Sequence, residues 1–172
     1  DQLEELFLSR NPKLRMDPKE AAIQSSSYVK KQQVEKPLWQ QGTWIYLPWQ
    51  HSINHILEQD SFFELRTARN HNLITKKEQQ AFQKATIGIA GLSVGNSVAL
   101  CLTLEGIEKM HLADFDELSL SNLNRIRAGI HQLNLPKLTI TAQQIYELNP
   151  YAKLQLFSEG LTKKNLDQFT GR

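Results

Sequence analysis

The clearest hydrophobic pattern lies in the second half of the chain, where two short apolar runs flank a longer one. Residues 86–90 are β-branched or small and end at Gly91, which is typical of a buried parallel strand. The next run, residues 94–105, is apolar on nearly every side, so it predicts a buried helix that ends at Gly106. Residues 109–113 resemble the first run. Two short strands joined by a helix predict parallel pairing through a right-handed crossover.

A further helix and a further strand continue this pattern. Pro136 opens a helical segment that stops at residues 149–150, and residues 154–157 predict a third strand. Thr162 is placed to cap a last helix. The order β-α-β, loop, α-β-α is the first half of a doubly wound fold. We therefore predict an α/β domain, Rossmann-like, with a partial parallel sheet of about three strands over residues 76–172.

Residues 1–75 predict a mostly helical or irregular extension. Residues 1–43 are polar and interrupted by prolines, which favours short helical pieces and connectors. Residues 44–47 predict a short strand, and the apolar positions in 53–57 and 62–65 predict two short amphipathic helices. Thr75 and Glu78 have the spacing of a capping box, so a helix is expected from there to about Lys84.

Composition excludes several classes of protein. The chain has 172 residues with 20 basic and 18 acidic side chains, a balance that argues against nucleic-acid binding. Cys101 is the single cysteine, so we predict neither an internal disulfide framework nor a metal site within this chain, and we expect Cys101 to be a core residue. No apolar stretch is long enough to span a membrane, and the first residues are acidic, so a cytoplasmic location is expected.

The glycine-rich turn, Gly91-Leu92-Ser93-Val94-Gly95, is the best candidate for chemistry. It stands between a strand and a helix, where backbone amides can converge on a phosphate. Asp114 follows Gly91 by 23 positions and ends the second strand, close to the spacing at which an acidic residue binds a ribose hydroxyl. The sequence therefore predicts a nucleotide site.

Three interpretations compete for this site. An NAD site would use the same turn and Asp114, but it would not require the polar and cationic group Asn122, Arg125 and Lys137. Transfer of a nucleotidyl group does require such cations, because charge develops on the phosphates. In the third interpretation Ser93 is the nucleophile of a G-x-S-x-G elbow, with Asp114 or Asp116 and then His131 completing a triad. The charges favour ATP.

With these residues in view, residues 84–172 resemble the ThiF/MoeB superfamily, which includes the ubiquitin-activating enzymes. The resemblance rests on the glycine turn, on Asp114 and Asp116, on residues 121–125 (Ser-Asn-Leu-Asn-Arg) and on Lys137. It implies that ATP and Mg²⁺ are used to adenylate a carboxylate, such as the C-terminus of a small ubiquitin-like or sulfur-carrier protein. The alternative is a Rossmann-type domain that binds NAD, or that has lost catalysis and serves as an interaction domain.

The resemblance also implies roles for single residues. Asp114 would hold the ribose, Gly91 and Gly95 would let the phosphates approach, and Asn122, Arg125 and Lys137 would contact the phosphates, the two cations being the catalytic groups. Asp116 and Ser93 complete the expected set, together with Arg69, which would reach a nucleotide across a homodimer. The turn departs from the usual G-x-G-G-x-G because it is shorter and carries Ser93, which either donates to a phosphate or crowds it. The aspartate for magnesium is expected beyond Arg172.

Overall fold

The computed structural model describes residues 1–171 and divides into two compact units, Asp1–Leu73 and Ile74–Arg172. No helix within the described residues is both long and apolar enough to cross a membrane. Each unit has its own secondary structure.

The N-terminal unit contains three α-helices and a two-stranded antiparallel sheet. In chain order these are α1 (Gln2–Arg10), α2 (Pro18–Glu35), β1 (Thr43–Leu47), β2 (Ser52–Ile56) and α3 (Gln59–Arg66). Short 3₁₀ helices occupy Pro12–Met16, Leu38–Gln40, Pro48–Gln50 and Ala68–Asn72. Helix α2 is longer than the short pieces expected there. Asp17 caps its first amides and Pro18 occupies its first position, which defines where the helix begins.

One helix predicted in this unit is wrong. Residues 53–57 were expected to be helical, but Ser52–Ile56 is strand β2, which pairs with β1 from Leu47↔Ser52 to Thr43↔Ile56. His51 has a left-handed backbone, with φ of 49°, and this residue turns the chain back into the hairpin. The strand at residues 44–47 and the helix over 62–65 are confirmed.

The C-terminal unit is an α/β layer structure built on a parallel sheet. Its elements are α4 (Lys76–Lys84), β3 (Thr86–Ala90), α5 (Gly95–Glu105), β4 (Lys109–Ala113), α6 (Lys137–Leu148), β5 (Lys153–Phe157) and α7 (Leu166–Thr170), with 3₁₀ helices at Leu120–Asn122 and Ile130–Gln132. The sheet order is β3-β4-β5, and both pairings are parallel. The predicted α/β, Rossmann-like class is confirmed.

The core of this unit lies between the sheet and helices α5 and α6. Its fully buried side chains include Leu92, Ile107, Met110, Leu112 and Ile145. Burial alternates along β3, where Ile89 is buried while alternate positions from Thr86 to Ala90 are exposed, so one face of this strand is covered more fully than the other. Ala90, Ala113 and Phe157 are register partners at the last residues of the three strands, so the segments that follow them leave from one edge.

Two details of this unit differ from expectation. Cys101 is exposed, although we expected it in the core. Helix α5 buries the i, i+3, i+4, i+7 stripe formed by Asn96, Ala99, Leu100 and Thr103, and Cys101 lies off that stripe. The last helix begins at Leu166 with Asn165 at its N-cap, and the Thr162 amide donates to Asn165 Oδ1 (2.7 Å), so Thr162 is not the cap.

Candidate functional site

The glycine turn joins the end of β3 to the start of α5. Gly91 has a left-handed φ of +85°, and its N–H donates to the Ala113 carbonyl (2.8 Å), so the turn is tied to the end of β4. A Cβ on Gly91 would meet no atom within 4 Å. The backbone conformation, and not crowding, is therefore the reason for glycine at this position.

Asp114 joins the turn to the segment that follows β4. Its carboxylate is buried and accepts two backbone N–H groups, from Leu92 to Oδ2 (2.5 Å) and from Asp116 to Oδ1 (2.7 Å). Hydrogen bonds to a carboxylate are stronger than those between neutral groups, so Asp114 fixes the shape of the turn. Each oxygen retains further lone-pair capacity. Its expected contact with a ribose stays a prediction.

Arg125 reaches the glycine turn from 32 positions away in the sequence, because its Nε donates to Ser93 Oγ (2.7 Å). Its Nη1 donates to Asn124 Oδ1 (2.8 Å) and to the Ser121 carbonyl (3.3 Å). Within residues 1–171, Nη2 has no protein partner. The guanidinium is thus held on two sides at the start of α5, with one nitrogen available to a ligand.

Asn122 shapes the loop that carries Arg125. Its buried side chain accepts the Ser119 N–H at Oδ1 (3.0 Å), and its carbonyl accepts the N–H groups of Arg125 (3.0 Å) and Ile126 (2.9 Å). Asn122 therefore has a structural role that the sequence did not reveal. Direct contact between its side chain and a phosphate stays a prediction.

Lys137 is the first residue of α6, and its side chain is only 7% exposed. Its Nζ pairs with Asp116 Oδ2 (2.9 Å), and its N–H donates to the Asp116 carbonyl (3.0 Å). The Asp116 side chain is 53% exposed, so one end of this ion pair is open to solvent. Asp116 also binds Asp114 through its own N–H, which places Lys137 beside the end of β4.

These contacts bring most of the predicted residues into one connected network, which we call the turn network. It runs from Lys137 through Asp116 and Asp114 to Leu92, and from the adjacent Ser93 to Arg125. Asn122 supports it through the loop backbone.

Gly95 has a packing role that the sequence did not indicate. A Cβ at this position would lie 2.8 Å from Ile89 Cγ2, so glycine lets the start of α5 approach β3 closely. Close approach of phosphates to Gly95 stays a prediction.

Arg69 is an exposed residue of the 3₁₀ helix Ala68–Asn72 in the N-terminal unit. Its expected reach to a nucleotide across a homodimer stays a prediction.

Asn96 is a buried residue that the sequence analysis missed. It lies in the first turn of α5 with no exposed surface, and its Nδ2 donates to Thr141 Oγ1 (3.0 Å) and Gln144 Oε1 (2.8 Å) on α6. Gln144 in turn donates to the Arg127 carbonyl. An amide side chain in the first turn of a mainly apolar helix was the available signal for this link between α5, α6 and the loop.

The triad interpretation of Ser93 is wrong. The Ser93 hydroxyl contacts Arg125, and both Asp114 oxygens accept backbone N–H groups. Throughout residues 1–171, neither residue bonds to His131, so no relay connects the three. The same range contains no group of three or more His, Cys, Asp or Glu side chains that could hold a metal ion.

Comparison with known proteins identifies the family of this chain. The model of the ThiF family matches residues 66–172, more than half of the chain. The chain belongs to the ThiF family. The matched range contains the whole turn network and Arg69.

Similar proteins are considerably longer than this chain. An uncharacterized protein of Mycobacterium tuberculosis is 40% identical over 73% of this chain and 18% of its own length. Ubiquitin-like modifier-activating enzyme 5 of Xenopus laevis is 27% identical over 66% of this chain and 28% of its own length. Among solved structures, the tRNA N6-threonylcarbamoyladenosine dehydratase TcdA of E. coli superposes with a TM-score of 0.61 and 26% identity over 67% of this chain and 49% of that one. Complexes of TcdA with ATP and with AMP have been solved.

Proposed function

We propose that this chain is the nucleotide-binding part of an adenylyltransferase, which binds ATP at the glycine turn and activates a carboxylate by transferring AMP to it. The observation that carries the proposal is the turn network, in which Arg125 contacts Ser93 just before α5 and Lys137 pairs with Asp116 just after β4. The TcdA complexes with ATP and AMP, in a related fold, support the same nucleotide. The turn network lies within the part of the chain that belongs to the family.

The electrostatics of the site suit a triphosphate. The N-terminus of a helix carries partial positive charge and free amides. Arg125 adds a guanidinium with an unused nitrogen, and Lys137 adds a buried ammonium whose partner, Asp116, is half exposed. These groups would hold phosphate oxygens by charge-assisted hydrogen bonds.

The chemistry follows from where charge develops. A carboxylate oxygen of the acid attacks the α-phosphorus, the bond from that phosphorus to the oxygen bridging to the β-phosphate breaks, and pyrophosphate leaves with the electron pair. Arg125 and Lys137 would stabilise the charge that accumulates on the leaving oxygens. Asp114 would keep the turn in place and accept the ribose hydroxyls.

Magnesium would accompany ATP as its usual counterion. The Asp114 oxygens already accept amides, and one Asp116 oxygen already binds Lys137. We therefore expect the ion to be held largely by phosphate oxygens and water, as Mg²⁺ often is.

The acid and the assembly are further parts of the proposal. A small ubiquitin-like or sulfur-carrier protein is the expected acceptor, in line with the modifier-activating relatives. A homodimer is expected because, among the described residues, β3 stands at the edge of its sheet with an unpaired backbone.

Calorimetric titration of the whole chain with ATP, AMP and NAD tests the nucleotide. We expect ATP to bind best. Arg125→Ala or Lys137→Met should weaken ATP binding by about 10- to 150-fold, the equivalent of losing one hydrogen bond to a charged group. Arg127→Ala is the matched control, because Arg127 is an exposed arginine of the same loop, and it is its backbone carbonyl that accepts the hydrogen bond from Gln144. Tighter binding of NAD than of ATP, or equal effects of the Arg125 and Arg127 substitutions, would contradict the proposal.

A further inference from the structure

Ser93 stands where the turn meets the helix, and its hydroxyl accepts the Nε–H of Arg125 at 2.7 Å. A guanidinium only donates hydrogen bonds, so the serine oxygen must be the acceptor. The bond connects two segments that are 32 positions apart. Within residues 1–171, it is the one hydrogen bond between the Arg125 side chain and the glycine turn.

Together with the other contacts of Arg125, this bond fixes the orientation of the guanidinium. Its Nη1 is held within its own loop by Asn124 Oδ1 and the Ser121 carbonyl. The guanidinium is planar and rigid, so holding Nε and Nη1 also fixes where Nη2 lies. Nη2 is the nitrogen with no protein partner in residues 1–171. Removing the Ser93 hydroxyl would leave the group anchored to its own loop alone, because Arg125 is otherwise exposed.

We infer that Ser93 is a positioning residue, which orients Arg125 so that Nη2 faces a phosphate of the nucleotide bound at the turn. The inference rests on the proposed function and adds a requirement to it, because phosphate affinity then depends on a hydroxyl that need not touch the ligand. A group already ordered before binding loses less entropy when the ligand arrives. Ser93 should therefore strengthen binding only while Arg125 is present.

A double-mutant cycle tests this dependence, with ATP and inorganic tripolyphosphate as the probes. The variants are Ser93→Ala, Ser93→Thr, Arg125→Ala and the double variant Ser93→Ala with Arg125→Ala. We expect Ser93→Ala to weaken binding of both probes by about 3- to 10-fold, within the range of one hydrogen bond. Ser93→Thr keeps the hydroxyl and should stay within about twofold of the wild type, and in the Arg125→Ala background Ser93→Ala should have no further effect.

A control and a direct readout accompany the cycle. Ser97→Ala makes the same change four positions further along the chain, in the first turn of α5, at a side chain without a hydrogen bond to residues 1–171, and should leave binding unchanged. The NMR signal of the Arg125 Nε–H reports the bond without any ligand. We expect it to be visible in the wild type and in Ser93→Thr, and broadened or shifted in Ser93→Ala.

Each contrary outcome points to a different error. If the wild type binds neither ATP nor tripolyphosphate, the proposed function fails and this inference fails with it. If ATP binds and Arg125→Ala weakens it, but Ser93→Ala still weakens binding in the Arg125→Ala background, the hydroxyl contacts the phosphate directly and the inference is overturned while the function stands. Tighter binding by Ser93→Ala would mean that the side chain crowds the phosphate, which also overturns it.

Discussion

Replacing Asp114 by asparagine should loosen the glycine turn. The two carboxylate oxygens accept the N–H groups of Leu92 and Asp116, and the side chain is buried. Asparagine offers one oxygen and one NH₂ group in the same shape. One of the two amides must then lose its acceptor and face another donor, with little access to water.

The expected cost follows from these contacts. A hydrogen bond to a charged group contributes about 1.5 to 3 kcal/mol, and a buried donor left without a partner costs about 1 to 3 kcal/mol. The remaining bond becomes neutral and weaker. We therefore expect Asp114→Asn to destabilise the turn by about 3 kcal/mol, which corresponds to a roughly 150-fold increase in local opening.

Amide hydrogen exchange measured by NMR checks this directly. Exchange of the Leu92 and Asp116 amides should accelerate by about that factor, while amides in β5 should change much less. Asp167→Asn is the matched control, because Asp167 lies exposed in the first turn of α7. Unchanged protection of both amides in Asp114→Asn would refute the reasoning, since it would mean that the carboxylate does not hold the turn.

Two further predictions concern packing and capping. Gly95→Ala places a Cβ 2.8 Å from Ile89 Cγ2 and should cost about 1 to 3 kcal/mol in urea unfolding. Ile89→Ala removes that methyl group, so the double variant should lose less free energy of unfolding than the two single variants lose together. Strict additivity of the two losses would contradict the clash. The pKa of Glu78 should lie below 4.5, because its carboxylate accepts two hydrogen bonds from Thr75. The larger effect comes from the backbone N–H and the smaller one from the hydroxyl. This capping contribution should be complete above pH 4.5 and be lost as the pH falls through the lower folded-state pKa. A carbon-detected NMR titration measures this pKa. Thr75→Ala should raise it, and an unchanged pKa in that variant would mean that the Thr75 hydroxyl does not lower the pKa of Glu78.

The sheet could be predicted because its strands are short segments rich in apolar residues, each separated from the next by a helix-length segment with clear turn residues. The hairpin of the N-terminal unit could not, since Ile53 and Ile56 have a spacing that also suits a helix. The residue that reverses the chain is His51, and a left-handed conformation at histidine has no signal comparable to a glycine. Cys101 was misplaced because a helix that is apolar all round does not reveal which face meets the sheet.

The sequence was sufficient to predict which residues form the candidate site, but not which hydrogen bonds join them. Gly91, Asp114 and Lys137 follow from motif spacing and resemblance. The contact of Arg125 with Ser93 depends on how the loop after β4 folds back, and no local pattern encodes that distance. Asn96 was missed because its partners on α6 are 45 and 48 positions away.

The central claim is that the turn network converges on a triphosphate, and a crystal structure of the chain soaked with ATP and Mg²⁺ tests it most directly. We expect phosphate density at the N-terminus of α5, with oxygens within hydrogen-bonding distance of Arg125 Nη2 and Lys137 Nζ. Nucleotide density elsewhere on the chain, with Arg125 and Lys137 making no contact to a phosphate, would contradict it.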